Sequence, residues 1–153
     1  MDVKYINPFL TATVKVLKTM AFIDLTPGQP SLKKEAVASG DVSGIIGLTG
    51  EVHGSLSVTF TFNLLKEIMS NMLGETITDI SDDVKDAVGE MTNMICGDAR
   101  RALQQEGLNL SAAIPTIVAG KNHTITHAVK GPIIVIPFKA GGGRATVEVS
   151  LEN

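Results

Sequence analysis

Apolar residues recur at helical spacing in three stretches of this chain and at strand spacing through most of the remainder. Phe9, Ala12, Val16 and Met20, joined by Leu10, Val14 and Leu17, make a broad apolar face. The Asn7–Pro8 pair ahead of them offers a capping side chain and then a residue of preset φ. A first helix is therefore expected from Asn7 to about Met20. Residues 21–35 contain Pro27, Gly28 and Pro30 and read as a short strand and then a loop. From Ala36 to Phe62 the spacing changes to that of strands. Leu56, Val58, Phe60 and Phe62 alternate with Ser57, Thr59 and Thr61, so that strand shows one face to the core. Thr49-Gly50-Glu51 is the expected hairpin turn. Asn63 opens a second helix, with Leu64, Ile68 and Leu73 on one side and Gly74 as its stop. Ser81 begins the longest helical pattern, which runs to about Glu106 and is stopped by Gly107. Asp82 and Asp83 suit its positive N-terminal end. Strands follow at 114–118, 123–129, 133–138 and 145–151, with Gly141-Gly142-Gly143 turning the last hairpin.

The order helix, irregular link, glycine-punctuated hairpin occurs twice, in halves at about 5–75 and 80–153. The expectation is one α+β domain over residues 1–153, with pseudo-two-fold halves and long helices packed on an antiparallel or mixed sheet. Composition then removes whole classes of function. Thirteen basic residues against sixteen acidic ones give −3, which is not the basic footprint of a nucleic-acid binder. No apolar run approaches the ~20 residues of a membrane helix. The N-terminus carries no secretion signal, so a cytoplasmic location is expected. A single cysteine, Cys96, excludes an internal disulfide framework and a multi-cysteine zinc site. With no Trp and 4 % aromatic residues, stacking platforms for sugars or bases are not expected.

The candidate chemistry lies on the long helix. Asp86, Glu90 and Asn93 follow one another at i, i+4 and i+7. At ~100° per residue they fall near 0°, 40° and −20°, with Gly97 continuing the stripe near 20°. Val84, Ala87, Val88, Met91, Ile95 and Ala102 occupy the opposite arc and should pack on the sheet. The carboxylate can pair with a lysine of a partner, the amide can hold a water, and Gly97 would admit a partner's backbone closely. From spacing alone, a solvated helix face with polar decoration is the favoured reading. Asp98 falls on the apolar arc, where Arg101, three residues on, could pair with it. His123 and His127 have the i, i+4 spacing of a helical metal pair. Their segment reads as a strand, on which they would stand about 13 Å apart, too far for one ion. His53 has no evident partner. Gly141 to Arg144 lacks the Gly-Lys-Ser/Thr ending of a phosphate loop, and Gly47, Gly50 and Gly54 do not fit a dinucleotide fingerprint. Cys96 sits on the helix flank with no histidine near it in sequence.

The Asp86-x3-Glu90-x2-Asn93 stripe resembles the signature of the CheC/CheX/FliY family of chemotaxis phosphatases. The opening Tyr5-Ile-Asn-Pro-Phe-Leu with Val16-Leu-Lys-Thr-Met20, and the glycine hairpin from Ser43 to Gly54, are similar to the CheX branch. CheC-type relatives carry two copies of the motif; here the first helix has no Glu-x-x-Asn, and a single motif fits CheX. The resemblance implies a CheC-like fold and a phosphatase acting on the aspartyl phosphate of a CheY-like receiver domain. It implies that Glu90 pairs with the receiver's active-site lysine and that Asn93 enters its active site and orients the attacking water. Asp86 and Gly97 would have supporting roles. The Mg²⁺ would be held by the receiver, with no metal or cofactor of the chain's own. A homodimer through the sheet is also implied. With −3 overall, little electrostatic steering toward an acidic receiver is expected, so recognition would rest on shape and the Lys–Glu pair. The competing expectations are a non-catalytic receiver-binding or assembly module of the same fold and, least favoured, a small-molecule-binding domain.

Overall fold

A computed structural model describes residues 3–34, 40–121, 123–125, 127 and 131–152. Helix α1 spans Val3–Ala21, and two-residue strands β1 (Thr26–Pro27) and β2 (Ser31–Leu32) follow it. A hairpin of β3 (Val42–Gly50) and β4 (His53–Phe60) leads into α2 (Phe62–Leu73) and α3 (Asp82–Gln105). Short strands β5 (Leu110–Ala112) and β6 (Thr116–Ala119) come next, then a second hairpin of β7 (Ile134–Ala140) and β8 (Gly143–Glu152).

All strands join one antiparallel sheet in the order β1-β7-β8-β4-β3-β5, with β2 also on β7 and β6 also on β3. The two hairpins meet at its centre through β4 and β8, where Leu56 lies opposite Val149 and Ser57 opposite Glu148. The short strands of each half pair with the other half's hairpin: β1 and β2 with β7, β5 and β6 with β3. The halves thus close one sheet between them, and neither edge strand exceeds four residues, a short-edge arrangement that resists adventitious pairing.

The helices cover one face. Leu56, Val58, Phe60, Val147 and Val149 project from the central strands into the same core as Phe9, Leu17, Ile68, Met91 and Ile95. The opposite face carries Ser43, Ser55, Ser57, Thr59, Thr146, Glu148 and Ser150, and these too are buried.

Several boundaries differ from the sequence expectation. Helix α1 begins at Val3 and runs through Pro8, so Asn7 is not its cap. Pro8 forfeits one hydrogen bond to the turn before it, and burial of Ile6 and Phe9 on either side holds that turn in place. Thr61, not Asn63, caps α2: its hydroxyl accepts from the Leu64 amide at 3.4 Å, and Phe62 is the first helical residue rather than the end of a strand. Gly74 stops α2 at φ 66° as expected, but Leu73 turns outward and is 56 % exposed. The first hairpin turns at Glu51–Val52 and the second at Gly141–Gly142. Gly143 already belongs to β8 and packs so closely on α2 that a Cβ there would stand 2.7 Å from the Leu64 Cβ. The strand expected at 114–118 is β6, displaced to 116–119 because Pro115 has no donor for the ladder; β5, which precedes it along the same edge of β3, was not expected. Residues 123–125 and 127 form no strand, only a bridge at Thr124. The remainder of that expected strand, and residues 36–39 of the expected 36–62 stretch, lie outside the described residues.

Candidate functional site

Helix α3 is placed by its apolar arc. Ser81 caps its N-terminus, accepting from the Val84 amide at 3.4 Å. Val84, Ala87, Val88, Met91, Ile95, Ala99 and Leu103 are buried against the sheet and α1; Ala102 is half-buried. Thr92 sets the height of the helix over the sheet. Its hydroxyl donates to the Val88 carbonyl at 2.6 Å, and it presses onto β3 at Gly44, where an added Cβ would lie 2.2 Å from the Thr92 Oγ1. Only a glycine permits that approach. Thr92 directly precedes Asn93, so this contact also fixes where the amide projects. The contact joins residues 48 apart, and no local pattern in the sequence marks it.

The opposite stripe faces outward. Asp86, Glu90 and Asn93 are exposed and Gly97 is half-buried. Glu90 and Asn93 are about 4.5 Å apart along the helix axis. Among the described residues none of the three polar side chains is engaged in a hydrogen bond or ion pair, so a carboxylate and a carboxamide stand side by side, free to meet a partner.

Other candidates are accounted for by packing. Cys96 is buried, and desolvation raises its thiol pKa to about 11 despite the opposing charge of Arg100, so it is a protonated packing residue and not a nucleophile. Asp98 pairs with Arg101 on its own helix and with Lys15 of α1 at 3.8 Å. His123 bridges the Ser43 hydroxyl at 2.6 Å and the Gly120 carbonyl at 2.7 Å. His127 contacts the Glu148 carboxylate at 3.0 Å, and Lys33 donates to the same oxygen at 2.7 Å. Burial raises the pKa of Glu148; the bonds from His127 and Lys33, with the Lys33 charge, outweigh it and hold the carboxyl below its ordinary value. This ionic cluster was missed in the sequence, because Lys33 and Glu148 lie 115 residues apart. Among the described residues no group of three or more His, Cys, Asp or Glu could hold a metal ion, and no helix is long and apolar enough to cross a membrane.

The fold is thus an antiparallel α+β one that offers an acid and an amide side by side on an exposed helix face. The chain belongs to the CheX family: the family model described as Chemotaxis phosphatase CheX matches residues 42–139. It is 25 % identical over 139 residues to the CheY-P phosphatase CheX of Thermotoga maritima, covering 90 % of this chain and 88 % of that one. A CheC-like superfamily protein from Shewanella sp. PV-4 superposes with a TM-score of 0.94 at 48 % identity, with both chains covered in full. The CheX of a CheX–CheY–BeF3–Mg²⁺ complex from Borrelia burgdorferi superposes at 0.82 with 26 % identity, covering 97 % of this chain and 98 % of that one.

Proposed function

We propose that this chain is a phosphatase that hydrolyses the aspartyl phosphate of a CheY-like receiver domain, and that it does so from the outer face of α3. The carrying observation is the exposed, unengaged Glu90–Asn93 pair in a chain of the CheX family, one of whose structural neighbours was solved in complex with CheY.

An acyl phosphate is already activated, and its hydrolysis chiefly needs an in-line water and neutralisation of the phosphoryl charge. The receiver brings the charge neutralisation, its Mg²⁺ included. Glu90 pairs with a lysine of the receiver and anchors the helix. Asn93 reaches the phosphoryl group and holds the water, accepting with its carbonyl oxygen and donating with its amide. Asp86, one turn before Glu90, supports the docked position, and Gly97 lets the partner's backbone approach. In this reading no group of the chain has to change its protonation state.

The same reading places the chain in the cytoplasm with its receiver and pairs two copies through the sheet. Ile114, 88 % exposed between β5 and β6 at the sheet edge, is an apolar group that such a partner would cover. Sedimentation at working concentration should give a dimer; a monomer alone removes that part of the reading.

The test of activity is the decay of a phosphorylated receiver in Mg²⁺ with a small substoichiometric amount of this protein. Repeated turnover, lost in Glu90→Ala and Asn93→Ala, is the expected result. Sequestration without turnover would move the function to a non-catalytic receiver-binding module.

A further inference from the structure

The charge on α3 is not evenly spread. From Asp82 to Asn93 the helix carries Asp82, Asp83, Asp86 and Glu90 against Lys85. From Met94 onward it carries Arg100 and Arg101 against Asp98, and α1 brings Lys15 alongside. The two arginines have different employment. Arg100 is committed to the fold: its Nε donates to the Leu110 carbonyl at 2.9 Å where β5 begins. Arg101 is 71 % exposed, and its only ion pair among the described residues is with Asp98.

Arg101 also belongs to the motif face. Counting ~100° per residue from Asp86, it falls near 60°, beside Glu90 near 40°. Its guanidinium folds back along the helix, to 3.7 Å from where a Gly97 Cβ would stand. A Cβ at 97 would meet it at ordinary contact distance. The guanidinium is thus held about 6 Å beyond Asn93 along the axis, while Glu90 lies about 4.5 Å before it. Two hollows flank it: a groove of about 610 Å³ between α1 and α3, which Lys15, Asp98 and Arg101 help to line, and a smaller one of about 320 Å³ reaching Gly97 and Asn109. Asp98, 17 % exposed and bound by Arg101 and Lys15, fixes the arrangement from beneath.

We infer that Arg101 is a second docking residue, and that the order negative Glu90, neutral Asn93, positive Arg101 sets the direction in which α3 lies across a phosphorylated receiver. The inference rests on the phosphatase reading above. A Mg²⁺-dependent aspartyl phosphate is necessarily ringed by carboxylate and phosphate oxygens, because Mg²⁺ takes oxygen ligands of that kind. Arg101 meets the carboxylates of that acidic rim, for which its planar fork is suited. Glu90 meets the rim's lysine. A helix docked the other way round would put like charges together at both ends. The net charge of −3 therefore understates the steering available at this face. Asp98 is a positioning residue that acts through Arg101.

The experiment measures affinity and turnover separately. Affinity is read by titrating the Mg²⁺–beryllium fluoride form of the receiver, and turnover from KM and kcat on the phosphorylated form. Arg101→Glu should raise both Kd and KM at least tenfold, and Arg101→Ala about three- to tenfold, with kcat within twofold of wild type. Arg101→Lys should recover most of the loss. Asp98→Asn should raise KM two- to threefold. The fall of wild-type affinity with added salt should be shallower in Arg101→Ala. Wild-type turnover with unchanged KM, Kd and salt dependence in Arg101→Glu would overturn the inference and leave the phosphatase reading standing. Wild-type binding without turnover, weakened in Arg101→Glu, would uphold the docking role and remove the phosphatase reading. A wild type that neither binds nor dephosphorylates overturns both.

Discussion

Two sets of polar side chains lie on opposite sides of this molecule, and they have opposite fates. On the far face of the sheet, Glu148 is 3 % exposed and its carboxylate oxygen contacts both Lys33 and His127, which are 9 % and 1 % exposed. Ser43, Thr59 and His123 are linked beside them, each pair of atoms at 2.6 Å. On the outer face of α3, a carboxylate and a carboxamide are exposed and engage nothing among the described residues. Both sets are rich in groups that chemistry uses. Buried polar groups must find partners inside the protein or destabilise it, so the sheet cluster is explained by the fold alone. Exposed polar groups need no partner. What singles out the α3 stripe is its alignment on a rigid helix whose height is fixed by the Thr92–Gly44 contact. Burial together with a partner marks the structural set, and residue type alone does not.

The largest effect is expected on the sheet side. Glu148→Ala removes an acceptor shared by a buried lysine and a buried histidine, and should cost about 3–5 kcal/mol of folding stability, measured by urea denaturation. The kcat of the protein that remains folded should not change. The same group sets a pH dependence. Its folded pKa lies below the ordinary 4.5, so its contribution is fully present above that value and lost as pH falls through the folded pKa. Melting temperature should drop as pH falls below that ordinary value and through the lowered folded pKa, less steeply in Glu148→Gln. A stability loss under 1 kcal/mol in Glu148→Ala would mean that the cluster is not the structural element its burial indicates.

The next effect links the two regions. Gly44→Ala would set a methyl group against Thr92, and overpacking of this kind costs about 1–3 kcal/mol. Because α3 must lift or tilt to admit it, turnover should fall along with stability, although residue 44 touches no partner. Stability lost with turnover intact would show that the height of α3 does not position Asn93.

Asn93→Ala should do the reverse. Turnover falls at least tenfold, about 1.4 kcal/mol on the barrier, with receiver binding partly kept and the melting temperature unmoved. Glu90→Ala should mainly weaken docking. An unchanged single-turnover rate in Asn93→Ala would remove the water-orienting role.

How far the sequence led can be read from the same residues. The α3 stripe was legible because helical periodicity is local: once Val84, Val88, Met91 and Ile95 define the buried arc, Asp86, Glu90 and Asn93 must face the other way. The hairpins and the stops at Gly74 and Gly107 followed from similarly short-range signals. The start of α1 was misplaced because Asn7–Pro8 carries a strong capping signal that tertiary burial of Ile6 overrides. The segment at 123–127 alternates like a strand, yet its histidines reach down to Ser43 and Glu148 rather than entering a ladder. Contacts such as Lys33 with Glu148 or Gly44 with Thr92 join residues distant in sequence, and no periodicity encodes them.

Phe22 gives the smallest and sharpest test of whether exposure alone marks function. It is 75 % exposed, and it holds φ 55°, the sole positive φ among non-glycine residues described. Its amide donates to the Lys18 carbonyl and that of Ile23 to the Leu17 carbonyl, each at 3.1 Å. It therefore fills the position at the end of α1 that glycine normally takes. The left-handed backbone costs a side-chain-bearing residue about 1–2 kcal/mol, and a glycine returns about 0.5–1 kcal/mol of that through its freer unfolded chain. Phe22→Gly should therefore gain about 0.5 kcal/mol, near 1–2 °C in melting temperature, with receiver affinity and turnover unaltered. If affinity falls instead, the strained phenyl ring is held out for a partner, and the docking face extends past α3 to the end of α1.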